Sequence, residues 1–522
     1  MRIKPLYKTI IIVCILVFCG LMASAQLSLD HTNWGVVSAD KITLHFEKDT
    51  VLVQNLANSR EDRAMFLQKH DTLLIFSRAD KSQCPADTGF YQIKYQYSGQ
   101  QLQLNAISEK CTYRTGLFSN RFSYLFGKNS AARNWPQLDI STDSVAGISL
   151  YKAYELLKGR NSKTIIVAVI DNGFDIEHED LKDIIWTNTK EIPGNGIDDD
   201  HNGYTDDVHG WNFRSDKGGN TIANEQSAAT QMYAALKSKY DHADLNQLNG
   251  DEQKQLGIYK QAKAQYLETL NHSKDTADIR YAYNIRYNSG RLINDGTTPG
   301  NDQHYGSPFI TATPNLSHGT HVAGIIAAKR NNQKGIDGIA DNVLIMPIIA
   351  TTAIGDERDK DVANAIRYAV DNGARIINMS FSKRFSPYKN LVDEAIRYAE
   401  KKHVLIIHAA GNDGNNNDTA NYYPVPYYND GRKASNFITV GWSRPLLNYR
   451  LAHPYSGYGK NNVDVFAPGS DVFSTIPGNL YDYKSGSSMS TPCVTGVAAL
   501  LFSYFPGLTM EQVKNIILRS SF

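Results

Sequence analysis

Only five of the 522 residues are cysteine, too few for a fold stapled together by disulfides. Charge of one sign is missing too. Lys plus Arg number 54 against 53 for Asp plus Glu, a net charge of +1. No field over the whole surface draws the chain to nucleic acid or to an anionic membrane. Long apolar runs are absent as well. The longest, from about Ile10 to Met22, is shorter than the ~20 residues a membrane-spanning helix needs. Arg2, Lys4 and Lys8 precede this run and Ala23-Ser24-Ala25 follow it, so residues 1–25 read as an export signal cut before Gln26. A lipid anchor on Cys19 fits less well, because bulky Phe18 stands where a small residue is usual. Stable membrane insertion is not expected after cleavage.

Cys14 and Cys19 leave with the signal, and Cys84, Cys111 and Cys493 remain in an exported, oxidising setting. Cys84 with Cys111 is the natural disulfide, worth about 3–4 kcal/mol in the chain-entropy account. Cys493 stands among small apolar residues and reads as a buried packing thiol.

A chain this long should form two or three folding units. Over residues 26–128, runs such as KITLHF, DTLLIF, FYQIKYQY and QLQLNAI alternate apolar and polar residues between polar turns. That pattern predicts a small antiparallel β-domain. A linker over 129–148 holds Asn134, Trp135 and Pro136. From 149 to 522 the pattern changes. TIIVAVI (164–170), NVLIMPII (342–349), ARIINMSF (374–381) and HVLIIHAA (403–410) are near-continuous apolar runs, as parallel strands covered on both faces require. Amphipathic stretches such as DVANAIRYAVDNG and NLVDEAIRYAEKK separate them. The expected class is α/β, a mostly parallel central sheet flanked by helices. A polar, Gln-, Lys- and Tyr-rich segment over about 215–300 interrupts it and reads as a helical insertion.

Three separated motifs carry candidate chemistry. In AVIDNGFDIEHEDL, Asp171 follows the run 164–170, at the carboxyl end of a strand where open α/β sheets collect their ligands. A carboxylate there can orient a histidine ring; alone, it would pass for a turn residue before Asn172-Gly173. In SHGTHVAGIIAA, His318 stands near a helix start with His321 one turn on. A metal-binding pair is the rival reading, yet HxxH lacks the i, i+4 spacing and adjacent Glu of a zinc-protease helix. In SGSSMSTPCVTGVAALLF, Ser488 opens a helix of small residues, where a helix amino terminus favours developing negative charge. Ser487 and Ser490 are neighbours easily confused with it, and any serine in such a loop can be a mere cap.

The order Asp, His, Ser separates this set from chymotrypsin-like enzymes and α/β-hydrolases. With DNG, HGTHVAG and GSSMSTP in these places, the chain resembles the subtilisin-like serine peptidases from about Ser149 to the C-terminus, apart from the insertion. The resemblance implies a serine endopeptidase in which Ser488 attacks a peptide carbonyl, His318 moves the proton and Asp171 orients His318. Protein and peptide substrates are then the expected partners, and no cofactor is required for catalysis. HAAGNDG resembles the family's oxyanion segment, which makes Asn412 a side-chain oxyanion donor and Gly411 its neighbour at the substrate. An Asn-Gly-rich surface turn would look the same. The family's substrate strand reads SLGG after NM, whereas this chain has Ser380-Phe381-Ser382-Lys383. Backbone pairing of an extended substrate along 380–382 survives that change. The side chains of Ser382 and Lys383 imply a narrower or more polar specificity pocket. The family's catalytic domain is also expected to continue past LTMEQV, and this chain stops at Phe522. Residues Cys84 to Arg114 resemble small lipocalin-like β-domains of bacterial exported proteins. The rival to an active enzyme is a catalytically silent protein that binds through its N-terminal β-domain.

One more run, NGIDDDHNGYTDDVHGWNF, places Asp198, Asp200 and Asn202 on alternate positions with Gly203 next, the opening of a calcium loop. Where the template carries a bidentate Glu this chain has His209, so Asp206 or Asp207 is expected to complete the site. A solvated acidic turn is the other reading.

Overall fold

A computed structural model describes residues 133–521 apart from 144, 245–246, 273–275, 294–303, 311–312, 314–315 and 446–450, and, ahead of residue 133, the backbone of nine strands. The chain divides into two compact units, Met1–Arg133 and Asn134–Phe522.

In the first unit, β1 (Ile10–Leu16), β2 (Asn33–Val36), β3 (Ile42–Glu47), β4 (Thr50–Asn55), β5 (Arg60–Lys69), β6 (Thr72–Ser77), β7 (Gly89–Gln96), β8 (Gln101–Ser108) and β9 (Arg121–Tyr124) close into a barrel of order β1-β6-β5-β4-β3-β2-β9-β8-β7. Every neighbouring pair is antiparallel except β1 beside β7. β1 comes from the run read above as an export signal. Cys84 and Cys111 lie outside the described residues.

The second unit is built on a sheet of seven strands, parallel throughout: β10 (Ile165–Asp171), β11 (Trp211–Asn212), β12 (Val343–Ile349), β13 (Ile376–Met379), β14 (Leu405–Ala409), β15 (Phe437–Ser443) and β16 (Val465–Pro468). A hairpin of β17 (Val472–Ile476) and β18 (Leu480–Lys484) follows. The helices of eight residues or more are α1 (Leu150–Leu157), α2 (Ala228–Tyr240), α3 (Gly250–His272), α4 (His318–Ala327), α5 (Asp359–Asp371), α6 (Lys389–Lys401), α7 (Ser487–Tyr504) and α8 (Met510–Ser520). The apolar runs became strands because both of their faces are covered: Val167, Val169, Ile376, Ile377, Leu405, Ile406 and Ile407 are all fully buried. Each such side chain stabilises the fold by about 1.5–3 kcal/mol. α5 buries Val362, Ala365, Ile366 and Ala369, and α6 buries Val392, Ala395, Ile396 and Ala399, one apolar stripe each at helical spacing. α4 and α7 are buried nearly all round, which their small residues permit.

The sheet order β11-β12-β10-β13-β14-β15-β16 places the site. The chain leaves β10 toward β11 and β12 on one side and leaves β13 toward β14 on the other. A crevice must open beyond the carboxyl ends of β10 and β13, where connections diverge.

Two segments add detail to the expectation. Within the linker Trp135, Pro136 and Gln137 are buried: Trp135 is 1% exposed and its indole N–H donates to Ser470 O at 2.9 Å. The insertion has a satellite core of its own, in which Tyr233, Tyr240, Tyr259 and Ala262 of α2 and α3 are buried together.

Candidate active site

Asp171 is the last residue of β10, and its side chain is almost wholly buried. Oδ1 accepts the Asn172 N–H at 2.8 Å. The two carboxylate oxygens lie 2.9 and 3.0 Å from Nδ1 of His318, the first residue of α4. Three backbone contacts lock that helix start against the turn after β10. His318 N–H donates to Asn172 Oδ1 (3.1 Å), Thr320 N–H to Gly173 O (3.2 Å), and Asp175 N–H to Thr320 Oγ1 (3.0 Å). Gly319 is required by the closeness of this approach, since a Cβ there would sit 2.7 Å from Gly173 O and 2.8 Å from the Phe174 ring. His318 keeps a partly open ring, 28% exposed. His321 is fully buried with Nε2 3.1 Å from Asp482 O, and burial, with the nearby His318 adding to it, lowers its pKa to about 3. The two rings serve different partners, and His321 is a neutral structural residue.

Ser488 is the second residue of α7, after Gly486, whose φ of 142° suits glycine. Its neighbours are already committed. Ser490 Oγ donates to Ala467 O (2.7 Å), and Ser487 Oγ donates to Asn412 Oδ1 (3.0 Å) while accepting from Gly411 N–H (3.2 Å). Both are fully buried, whereas Ser488 is half-buried. Ser488 Oγ donates to Ser380 O at 2.8 Å, so in this state its proton points at the end of β13 rather than at His318. The return bond has a cause in the sequence. Pro492 has no N–H to offer the Ser488 carbonyl four residues earlier, and Ser380 Oγ donates to it instead at 2.9 Å. Asn378 Nδ2 donates to Ser380 Oγ (3.0 Å) and Thr495 Oγ1 to Asn378 Oδ1 (2.8 Å), which tie β13 to α7 behind the serine.

Asn412 follows β14 through Gly411, whose φ is +94°. Its Oδ1 accepts from Ser487 N–H (2.8 Å) and Ser487 Oγ (3.0 Å). Two donors fix which end of the amide is oxygen. Nδ2 is left without an acceptor among the described residues, on an exposed side chain. The Ser488 N–H is one of the first helical amides that has no partner within its own helix. The site thus offers an imidazole held by a carboxylate, a hydroxyl at a helix start and two donors beside it.

The model of the Subtilase family matches residues 162–521. The chain belongs to that family. It is 41% identical over 187 residues to the thermophilic serine proteinase of Bacillus sp. (strain AK1), covering 36% of this chain and 43% of that protein. To thermitase of Thermoactinomyces vulgaris it is 40% identical over 186 residues, 36% of this chain and 61% of that one. Subtilisin of Bacillus pumilus is 32% identical over 229 residues, 42% of this chain and 78% of that one. The chain thus spans 43% and 61% of the first two relatives.

In this subtilase the residues after β13 depart from the expected pocket wall at one point. Lys383 turns away from it. Its Nζ lies 2.8 Å from Asp359 Oδ1 and donates to Glu357 O at 2.6 Å, both side chains of the ion pair being 2% exposed. The Lys383 backbone is spent as well, exchanging hydrogen bonds with Tyr423 at 3.1 and 2.8 Å. The wall is therefore not narrowed by the lysine, because a buried ammonium needs its carboxylate partner. Ser382 stays near Gly411, with Oγ 3.4 Å from where a Cβ on Gly411 would be. Phe381 is half-buried, its ring edge-on to that of His408 at 6.4 Å. Glu357 is pushed up to about 8 by burial, against a smaller opposing effect of Lys383.

The acidic loop closes differently from the template. Asp198, Asp200 and Glu191 each bring a carboxylate oxygen within 4.8 Å of the others. Asp206 lies outside this group of three, and its carboxylate accepts Asn195 N–H (3.1 Å) and Gly196 N–H (2.9 Å). Asn202 Oδ1 accepts Tyr204 N–H at 2.8 Å. Asp207 is fully buried, bonded by Tyr368, Asn188 and Asn202, and burial raises its pKa to about 6. Glu191 escaped the sequence reading because it precedes the repeat and belongs to no spacing rule. Asn378, Thr495 and Tyr423 left no signal in the sequence either, since each acts through a partner far along the chain.

Proposed function

We propose that this subtilase is an exported serine endopeptidase with Asp171, His318 and Ser488 as its triad and Asn412 as oxyanion donor. The observation that carries the reading is the His318 ring held at Nδ1 by both oxygens of a buried Asp171. A ring that donates from Nδ1 has Nε2 free as a base. Ser488 Oγ must first rotate from Ser380 O to Nε2. Attack then forms the Oγ–carbon bond as the hydroxyl proton passes to Nε2, giving an imidazolium beside Asp171. The carbonyl oxygen, now negative, is met by Asn412 Nδ2–H and Ser488 N–H. Collapse breaks the C–N bond, and Nε2 returns its proton to the leaving amine. Water, activated by the same nitrogen, then releases the acyl group from Ser488.

Peptides are the substrate class, since an extended chain can pair with the backbone of 380–382. Residues 1–25 support export through their charged, apolar and small-residue segments. Among the described residues no helix is long and apolar enough to cross a membrane. Loss of peptide hydrolysis in Ser488→Ala, with an unchanged circular-dichroism spectrum, is the expected result. Undiminished turnover in that variant would reject the triad.

A structural calcium ion fits the loop as a further part of this reading. The donors there are hard oxygens, and Glu191, Asp198 and Asp200 would hold the ion. Its contribution would be to stability, with no step in the chemistry.

A further inference from the structure

A substrate whose carbonyl carbon lies at Ser488 Oγ, with its oxygen at Asn412 Nδ2, must send the side chain of that same residue between two walls. One is the end of β13 at Ser380–Ser382 and the other the end of β14 at Gly411. These strands are neighbours in the sheet, so the opening between their continuations is a slot. The slot holds a side chain already. A Cβ on Gly411 would lie 2.7 and 2.8 Å from Cδ1 and Cε1 of Tyr422 and 3.4 Å from Ser382 Oγ. The Tyr422 ring therefore lies in contact with the Gly411 backbone, close to the opposite wall, and is 5% exposed.

The ring is fixed in place from several directions. The next residue, Tyr423, exchanges two backbone hydrogen bonds with Lys383, which pins the segment beside β13. The Tyr422 hydroxyl donates to Asp413 Oδ2 at 2.9 Å and accepts from Asn415 Nδ2 at 2.8 Å. The Arg384 guanidinium covers the ring face at 4.4 Å and lies 3.3 Å from Asp413. Swinging the ring out would break all of these at once.

We infer that Tyr422 plugs the specificity slot and restricts cleavage to peptide bonds that follow a small uncharged residue such as Gly, Ala or Ser. The inference rests on the proposed peptidase activity and deepens it. A bulky side chain would have to displace the ring, whereas a methyl or hydroxymethyl group needs only the space next to Ser382.

The test uses the full exported chain and peptide anilides that differ only in the residue before the scissile bond: Ala, Ser, Leu, Phe, Lys and Asp. The parent should cleave the Ala and Ser substrates with kcat/KM on the order of ten- to a hundredfold above Leu and Phe, the range a hydrophobic slot can discriminate. Tyr422→Gly should raise kcat/KM for the Phe and Leu substrates relative to Ala by a similar factor. Tyr422→Phe keeps the ring and should keep the parental order. Should the glycine variant fold poorly, the parental order and the phenylalanine variant still decide. A parent that is labelled at Ser488 by a fluorophosphonate probe but cleaves after Phe, Leu, Lys or Asp as well as after Ala would overturn the inference alone. So would a loss of the parental order in Tyr422→Phe. Absence of labelling at Ser488 would instead reject the peptidase reading, and the inference with it.

Discussion

The carboxyl ends of β10, β13 and β14 and the buried anchor of the insertion both depend on polar groups joined across long stretches of chain, yet they use them for different ends. At the strand ends the polar groups stay partly open. His318 and Ser488 are half-buried, and Asn412 is exposed. At the anchor everything is closed. Arg214 is fully buried between Glu225 (3.2 Å) and Asp361 (3.0 Å), with Ser289 bonded to Glu225 and Tyr305 to Asp361. A buried ion pair with its partners present contributes little net stability, but removing one partner leaves a charge stranded. On the proposed function the first arrangement exchanges protons with a substrate; the second holds the insertion to α5. The contrast predicts that substitutions at the strand ends cost turnover and those at the anchor cost folding.

Ser488→Ala should break the site most severely, lowering kcat by about 10⁶, a size known from subtilisin, while the thermal midpoint stays put. Asn412→Ala should follow with a loss of about 10² to 10³ in kcat and little change in KM, again the size seen in subtilisin. An effect confined to KM would mean that the amide only binds substrate. Arg214→Ala should reverse the pattern. It takes the closest cation from Glu225 and leaves Asp361 paired with Arg358 alone (2.8 and 2.6 Å), and it should destabilise by about 1–3 kcal/mol in urea titrations, with the pH profile of kcat in the folded fraction unchanged. A shifted profile would show that the anchor reaches the chemistry.

Two effects on stability sharpen the contrast. If the loop holds calcium, adding the ion at about 100 times its Kd should stabilise the fold by about 2.7 kcal/mol, and Glu191→Gln should abolish most of that response in calorimetry. A parent indifferent to calcium and chelator would leave the loop an acidic turn. A last effect concerns Glu357, whose pKa rises from 4.5 to about 8 on burial. Between those values the folded state holds a proton that the unfolded state has lost. Its contribution is present below about pH 4.5 and is lost as pH rises toward 8. Glu357→Gln should flatten that decline in the stability curve, and an unaltered slope would show that the group ionises freely.

Much of the sheet was legible because burial on both faces demands continuous apolar runs, and the four runs read from the sequence are β10, β12, β13 and β14 with ends moved by one or two residues. Asp171 proves to be inside β10 rather than after it, since its backbone still pairs with β12. The GSSMSTP motif already put Ser488 forward in the sequence. What it did not show is that the neighbouring hydroxyls of Ser487 and Ser490 are bonded to Asn412 and Ala467, far along the chain. Lys383 misled for a similar reason. A lysine in a substrate strand reads as exposed, but Asp359 waits for it at the start of α5. Trp135 looked like part of a linker because the Ser470 carbonyl that receives its N–H is more than three hundred residues away. Tyr422 lies in a run of tyrosines, NYYPVPYY, whose pattern does not say which ring faces Gly411.

The central claim is that Ser488 is a nucleophile activated by a His318 that Asp171 orients. The most direct measurement is labelling of the folded chain by a fluorophosphonate probe, followed by peptide mapping. The account predicts a single adduct on Ser488, absent in Ser488→Ala and strongly slowed in both His318→Ala and Asp171→Asn. An unlabelled Ser488 in folded protein, or an adduct that forms as fast without His318, would contradict it.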